Sequence, residues 1–327
     1  MGTDIVYAKT EDGMDLAVID VTNPAFAVNA TDAELAAMAE QYIREAGQQQ
    51  EIPAALREAL RNSMLGRGLM AATGTFLDGM STYLLKLGAE NLGECASPID
   101  RRIAASFPVF TARIRLQDVA RLLADGLAGS IAAEPRRPVY LVNIGGGPGS
   151  DSWNSLIHLQ AERPDLLAGR RIEIAILDVD ASGPAFGGRA LEVLRAAASP
   201  LCGLNIGFRH FGYEWSDSRR LRELLGELEA SDAACGISSE GGLFEYGSDE
   251  EIVTNLSVLD SGTARDAVVV GTVTRAGKPV RASLIANRVS TRPRTIEAFR
   301  ALAKQGGWIV EEVMERPFSY NVRLVKA

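Results

Sequence analysis

The stretch VYLVNIGGGPGSDSWNSL, residues 139–156, sets Gly145, Gly146, Gly147 and Gly149 between a run of apolar β-formers and a helical pattern. Glycines in such a strand-to-helix turn let a ligand approach the backbone without interference from Cβ atoms. The spacing is GxGxG, with Ser150 where the dinucleotide fingerprint has its third glycine, and no Lys-Ser/Thr pair follows, which excludes a Walker-type phosphate loop. Taken alone the glycines are weak evidence, since a tight strand-to-helix turn that binds nothing uses them too. A second group decides between the two: RIEIAILD ends in Asp178, with Asp180 two residues on. A carboxylate at the tip of the second strand is what a nucleoside needs for its two ribose hydroxyls. The interval from the glycines exceeds the usual ~20 residues, which a longer first helix ending in ERPDLLAGRR accounts for. A solvated acid at a strand end is the plainer reading of Asp178, and its conjunction with the glycines favours the ribose.

The elements that must position these groups fall into two textures. Up to about residue 135 the pattern is helical: TDAELAAMAEQYIREAG opens on a capping box from Thr31 to Glu34, and IPAALREALRNSML, GTFLDGMSTYLLKLG and FPVFTARIRLQDVARLLADGLAG continue the period. Four or five helices are expected there, as a layer that roofs the site. From residue 137 the candidate strands are VYLVNI, RIEIAILD, LNIGFRHF, AACGISS, DAVVVGTVT, WIVEEVM and YNVRLVK. Helical stretches separate most of the first five, which implies βαβ crossovers and a parallel sheet. Only ERPFS lies between the last two, too short for a parallel crossover, so they form an antiparallel hairpin. The expected architecture is α/β: five parallel strands closed by that hairpin in residues 136–327, with a helical cap in residues 1–135.

Composition bounds the partners. The chain has 327 residues, 46% of them hydrophobic, with 34 Lys and Arg against 42 Asp and Glu for a net charge of -8. That balance argues against an extended phosphate-binding surface, and the short basic spots RRPVY and DRRIAAS read as solvated faces. No nucleic-acid or membrane partner is expected. Cys95, Cys202 and Cys235 lie far apart with no CxxC spacing, so neither a zinc site nor a disulfide framework is suggested and no metal is expected. The opening MGTDIVYAKTEDGMD has no basic stretch followed by an apolar one and no myristoylation pattern, and no apolar run reaches membrane-spanning length, so a cytoplasmic location is expected.

Residues 137–327 resemble the class I S-adenosylmethionine-dependent methyltransferases. VNIGGGPGSD is similar to their first motif, AILDVD to their second, SSEGGLFEYGSDEEI to the segment after strand four, and GGWIVEEVMERPFSYNVRLVK to their closing hairpin. The resemblance implies a Rossmann-like sheet and S-adenosylmethionine as cofactor. It implies cofactor contacts at Gly145, Gly147 and Asp178, with Asn143, Gly146 and Asp180 beside them, and it places HFGYEW, including Phe211, near the adenine. No Asp-Pro-Pro-Tyr amide-methylation motif and no metal triad is present, which disfavours DNA-base and catechol-type acceptors.

Methyl transfer from a sulfonium disperses positive charge, so positioning and desolvation contribute most and a base helps only when the acceptor carries a proton. The candidates for catalysis are Glu240 and Tyr246, just past strand four where the acceptor lies in this architecture, and His210 at the end of strand three, open to either a catalytic or a packing role. Glu240 is placed to contact an acceptor proton or the cofactor's ammonium, and Glu245 to cap the next helix. Tyr246 and Phe244 could face a sulfonium or simply pack on the sheet. His158 reads as structural. Phe76, Met80, Tyr83 and Leu84 recur at helical spacing in the cap, and Tyr7 would reach the pocket if the N-terminus folded over as a lid. The leading function is methylation of a small nucleophilic acceptor in secondary metabolism. An alternative rests on the similarity of TFLDGMSTYLLKLG, GGGPGSDSWN and SSEGGLFEYG to azetidine-2-carboxylate synthases, which cyclise S-adenosylmethionine and release methylthioadenosine; that reaction needs a closed pocket with no room for an acceptor. A third, a non-catalytic sensor of the cofactor, is permitted and favoured by nothing.

Overall fold

The computed structural model describes residues 4–46, 54–72, 76–277, 280 and 290–327. The chain begins with an antiparallel hairpin, β1 (Tyr7–Lys9) and β2 (Asp15–Ala17), that its sequence does not advertise. Each later run expected to be a strand is one: β3 (Val139–Ile144), β4 (Arg171–Asp178), β5 (Asn205–Gly212), β6 (Ala234–Ser239), β7 (Val268–Thr274), β8 (Trp308–Glu315) and β9 (Ser319–Lys326). They form one sheet of seven strands in the order β5-β4-β3-β6-β7-β9-β8, parallel from β5 to β7, with β9 inserted antiparallel between β7 and β8. VYLVNI is apolar almost throughout because β3 lies at the centre and is buried on both faces.

Alternate residues of the strands feed two cores. On one face Leu141, Ile172, Ile174 and Ile176 meet α6 (Phe107–Ala133), α7 (Ser150–Glu162) and α8 (Ser182–Leu194). On the other Val142, Ala175 and Leu177 meet α9 (Arg219–Ala230), α11 (Asp249–Gly262) and α12 (Ile296–Gln305); the short α10 (Leu243–Tyr246) follows β6. Sequence reading puts α6 in the cap. The structure instead lays its Val119, Leu123, Leu127 and Ile131 in the same core as Val139, Ala234 and Val268, so this helix covers the sheet as well as bordering the cap.

The remaining helices are α1 (Asp32–Ala46), α2 (Ala54–Arg61), α3 (Met64–Ala71), α4 (Gly79–Lys86) and α5 (Pro98–Ala104). The capping box at α1 is formed, Thr31 Oγ1 accepting from the Glu34 amide at 3.2 Å and Glu34 Oε2 from the Thr31 amide at 2.8 Å. IPAALREALRNSML splits in two because Ser63 starts a new helix, its hydroxyl accepting from the Gly66 amide. DRRIAAS, read as a solvated face, lies mostly in α5, whose Asp100 also accepts from the Leu65 amide at 2.8 Å and so ties α5 to α3.

The N-terminus does not fold over as a lid. Residues 17–19 and Val21 are buried, and the segment is bound by α4 and α7: the Tyr83 hydroxyl donates to the Ala17 carbonyl at 2.7 Å and accepts from the Ile19 amide at 3.0 Å, and Trp153 Nε1 donates to the Ile19 carbonyl at 2.8 Å. Tyr7 stays exposed on the outside of the molecule. Among the described residues no helix is long and apolar enough to cross a membrane.

Candidate functional site

The strand order reverses between β3 and β6, and a cavity of about 730 Å³, counting its open mouth, lies beyond the carboxyl ends of the strands at that point. Its floor is Gly145–Gly147 after β3, Asp178–Asp180 after β4, Tyr213–Trp215 after β5 and Glu240–Gly242 after β6. Its roof is the segment 76–86 that leads into α4, contributing Phe76, Asp78, Thr82, Tyr83 and Lys86. Met80 and Leu84, of the expected stripe, pack into the core instead.

The glycine turn answers to two demands at once. Gly145, with φ +67, faces Trp215, whose ring would lie 3.3 Å from an added Cβ. Gly147, with φ +51, meets protein: an added Cβ would stand 2.8 Å from the Cα of Gly79, at the start of α4, and Gly183 of α8 presses on it from the other side. Gly146 packs over Asn143. The turn is thus a seat for the cap helix as well as part of the cavity wall. Asp178 holds it in shape: one carboxylate oxygen accepts from the Gly147 amide at 2.8 Å and the other from the Asp180 amide at 2.9 Å. Burial raises the Asp178 carboxyl above its ordinary value, partly offset by those two amides. Each oxygen keeps a further lone-pair site, and the residue lines the cavity, which is what a vicinal diol would use. Asp180 caps α8 through Ser182.

Beneath the cap runs a buried chain of four charges. Lys86 and Arg115 both pair with Glu240, one on each carboxylate oxygen; Arg115 reaches on to Glu245 at 2.9 Å, and Thr274 Oγ1 donates to the other oxygen of Glu245 at 2.7 Å. Burial alone would push the Glu240 carboxyl up, but the two cations outweigh it and hold it below its usual range. Glu240 is therefore a fixed anion, unsuited to accept an acceptor proton. The Tyr246 hydroxyl is pushed up by burial and by Glu245, so it stays protonated at neutral pH, and what it offers the cavity is its ring.

Asp151, at the start of α7, is buried beside the Ser238 hydroxyl, which favours its charged form, and its Oδ1 accepts from Asn143 Nδ2 and from the Ser152 amide. Burial, and then the charge of Glu240, pushes this carboxyl from 3.8 to about 6. An acid whose folded-state pKa is raised favours the folded state most when protonated, so its stability contribution is lost as pH rises from about 4 to about 6. Asp151→Asn keeps the Oδ1 acceptor and removes that penalty. We expect the variant to be about 1–3 kcal/mol more stable at pH 7, with the gain vanishing near pH 4. Denaturant titrations at both pH values measure it; equal stability at pH 7 would show that the carboxylate is solvated or paired.

A second, larger cavity of about 1810 Å³, again counting its mouth, lies between the cap helices and the sheet. Leu60, Leu69, Leu85, Ile99, Val109 and Phe318 make it apolar, and Arg115 and Glu245 reach it already paired with each other. The two cavities share Leu77, Thr82, Gly241 and Tyr246 as walls. The ring of Phe76 stands 6.4 Å from that of Trp215 and 6.2 Å from that of Tyr246, so three aromatic rings cluster along the first cavity, and Tyr246 also lines the second.

Of the expected site residues, the structure brings Gly145, Gly146, Gly147, Asp178, Asp180, Glu240 and Tyr246 to one cavity. Three others do not line it. Asn143 is fully buried under the turn, engaged with Asp151. Phe211 lies between the guanidinium groups of Arg209 and Arg220, with Trp215 the aromatic that faces the cavity from that segment. His210 Nε2 lies 3.0 Å from the carbonyl oxygen of Asp178 and supports the strand end from outside. Phe244 packs on Phe299. Sequence reasoning missed Lys86, Arg115 and Asp151. Each had one available signal, a charge embedded in apolar or small neighbours (YLLKLG, ARIRLQ, GSDSWN).

No family model and no curated protein matches the sequence. Solved structures do resemble the fold. A possible exported protein from Bordetella parapertussis is 17% identical with a TM-score of 0.56, over 91% of this chain and 97% of that one. LepI in complex with SAM (12% identity, TM-score 0.45, 91% and 95% of the two chains) and the pyocyanin biosynthetic protein PhzM (17%, 0.44, 91% and 74%) are similar more loosely. With five parallel strands, an antiparallel hairpin closing the sheet and a glycine turn at its switch point, the chain has the class I methyltransferase fold, roofed by an N-terminal helical region.

Proposed function

We propose that the protein transfers a methyl group from S-adenosylmethionine to a small acceptor with an apolar body. The observation that carries this reading is the adjacency of two cavities: one at the strand ends, with a glycine turn and a carboxylate suited to a diol, shares Leu77, Thr82, Gly241 and Tyr246 as walls with a larger, mainly apolar one. The residues present fit the cofactor. Gly145, Gly146 and Gly147 present bare backbone to the cavity, Asp178 offers lone pairs for a ribose, and Trp215 offers a ring for the adenine. When bound, the cofactor supplies an electrophilic methyl on a sulfonium.

This chain's own contribution is binding, orientation and exclusion of water. Aromatic faces attract a desolvated cation by up to ~2 kcal/mol or more, and Phe76, Trp215 and Tyr246 gather where a sulfonium would meet an acceptor. With Glu240 locked by two cations and Tyr246 protonated, neither is available as a base, which suits an acceptor that is already nucleophilic. The room in the second cavity speaks against self-cyclisation, which needs none.

The test is to bind S-adenosylmethionine to the purified protein by calorimetry and then to follow it by mass spectrometry with no acceptor added. Binding with the cofactor left intact is expected. Methylthioadenosine together with a four-carbon amino acid product would overturn methyl transfer in favour of cyclisation, and failure to bind would remove the cofactor from the account.

A further inference from the structure

Resting on that reading, we propose that Lys86 and Glu240 form the receptor for the amino-acid end of the cofactor, Lys86 taking its carboxylate and Glu240 its ammonium. Both side chains line the nucleoside cavity, and both are only 4% exposed. A lysine so buried is expensive unless paired, yet the pair is not saturated. Of the three ammonium hydrogens of Lys86, one is engaged among the described residues, by Glu240. The Glu240 oxygens accept one bond each, from Lys86 and Arg115, and a carboxylate has about four lone-pair sites. One cationic and one anionic group, each with free hydrogen-bonding capacity, thus stand side by side at the wall of a cavity that Asp178 also lines.

A zwitterion fits this arrangement. The chain Lys86–Glu240–Arg115–Glu245 holds two cations and two carboxylates and is neutral, so an incoming carboxylate and ammonium extend the alternation without burying net charge. A ligand bearing only one of the two charges would leave the other partner uncompensated. Lys86 is also the last residue of α4, the helix whose first residue rests on the glycine turn. A ligand spanning both would bind the cap to the sheet at each end of that helix. Glu240 held anionic by Arg115 would in turn keep the cofactor amine protonated and so non-nucleophilic, which separates this site from one built for cyclisation.

The experiment compares three nucleosides by calorimetry: S-adenosylhomocysteine, its decarboxylated analogue, and methylthioadenosine, which lacks the amino-acid end. Wild-type protein is expected to bind S-adenosylhomocysteine 10–100-fold more tightly than either of the others. In Lys86→Met that preference over the decarboxylated analogue should collapse to within about twofold, while affinity for methylthioadenosine, which also reports that the variant is folded, stays unchanged. Should Lys86→Met fail to fold, the wild-type series decides. Equal affinity of wild type for all three overturns the inference and leaves the nucleoside site standing. Absence of binding by all three overturns the cofactor reading and the inference with it.

Discussion

Replacing Arg115 with methionine is expected to lower the stability of the protein by about 3–5 kcal/mol, the range for breaking a buried ion pair by removing one partner. Arg115 leaves α6 to pair with both Glu240 and Glu245, with its side chain 16% exposed and those of the two carboxylates 4% and 6%. Both anions depend on it. Glu245 would retain only the Thr274 hydroxyl, and Glu240 would face Asp151 with Lys86 as its sole counter-charge. Methionine fills most of the arginine stem, so the loss measures uncompensated charge more than a cavity. Chemical denaturation of the wild type, Arg115→Met, Glu245→Gln and the double variant closes a cycle in which the double variant should recover part of the loss. A cost below about 1 kcal/mol for Arg115→Met would mean that water reaches the carboxylates and that the four charges do not act as one unit.

The sheet was legible for a reason that the network was not. VYLVNI, RIEIAILD and DAVVVGTVT are buried runs whose apolar character is written in consecutive residues, and the hairpin followed from ERPFS being all that separates WIVEEVM from YNVRLVK. Glu240 stood out because it follows β6 at the ligand edge, but its partner Lys86 is 154 residues away and Arg115 is 125. Pairing over such separations is set by how α4 and α6 cross the strand ends, which local periodicity does not encode. The same holds for β1, β2 and residues 17–19: three-residue strands carry too little pattern, and the burial of 17–19 comes from Tyr83, Trp153 and Asn154, which bind their backbone from distant elements. The motif residues Asn143, His210 and Phe211 illustrate a different limit. They lie on strands whose ends form the site, but strand side chains alternate in direction, and proximity in sequence to a ligand turn does not give access to the ligand.

The glycine turn offers the second large effect, through two substitutions that separate ligand from packing. Gly147→Ala is expected to cost about 3 kcal/mol or more, of which ~1 to 2 kcal/mol is the penalty of a left-handed backbone at φ +51 and the rest the approach of the new methyl to 2.8 Å from the Gly79 backbone. Gly203→Ala is the control, since φ there is +78 and nothing lies within 4 Å of the added Cβ; it should show the backbone penalty alone. Gly79→Ala probes the contact from the cap side. Alanine at a helix position is ordinarily neutral or stabilising by up to about 1 kcal/mol, but here its Cβ would stand 2.5 Å from the Cα of Gly147. Because neither neighbour is a movable side chain, α4 must lift off the turn, carrying Asp78, Thr82 and Lys86 away from the cavity. Gly79→Ala should therefore both destabilise the protein and weaken nucleoside binding more than tenfold, although the residue itself makes no polar contact with a ligand. A stabilised Gly79→Ala with unchanged binding would mean that the cap does not rest on the turn, and that the glycines are there for the ligand alone.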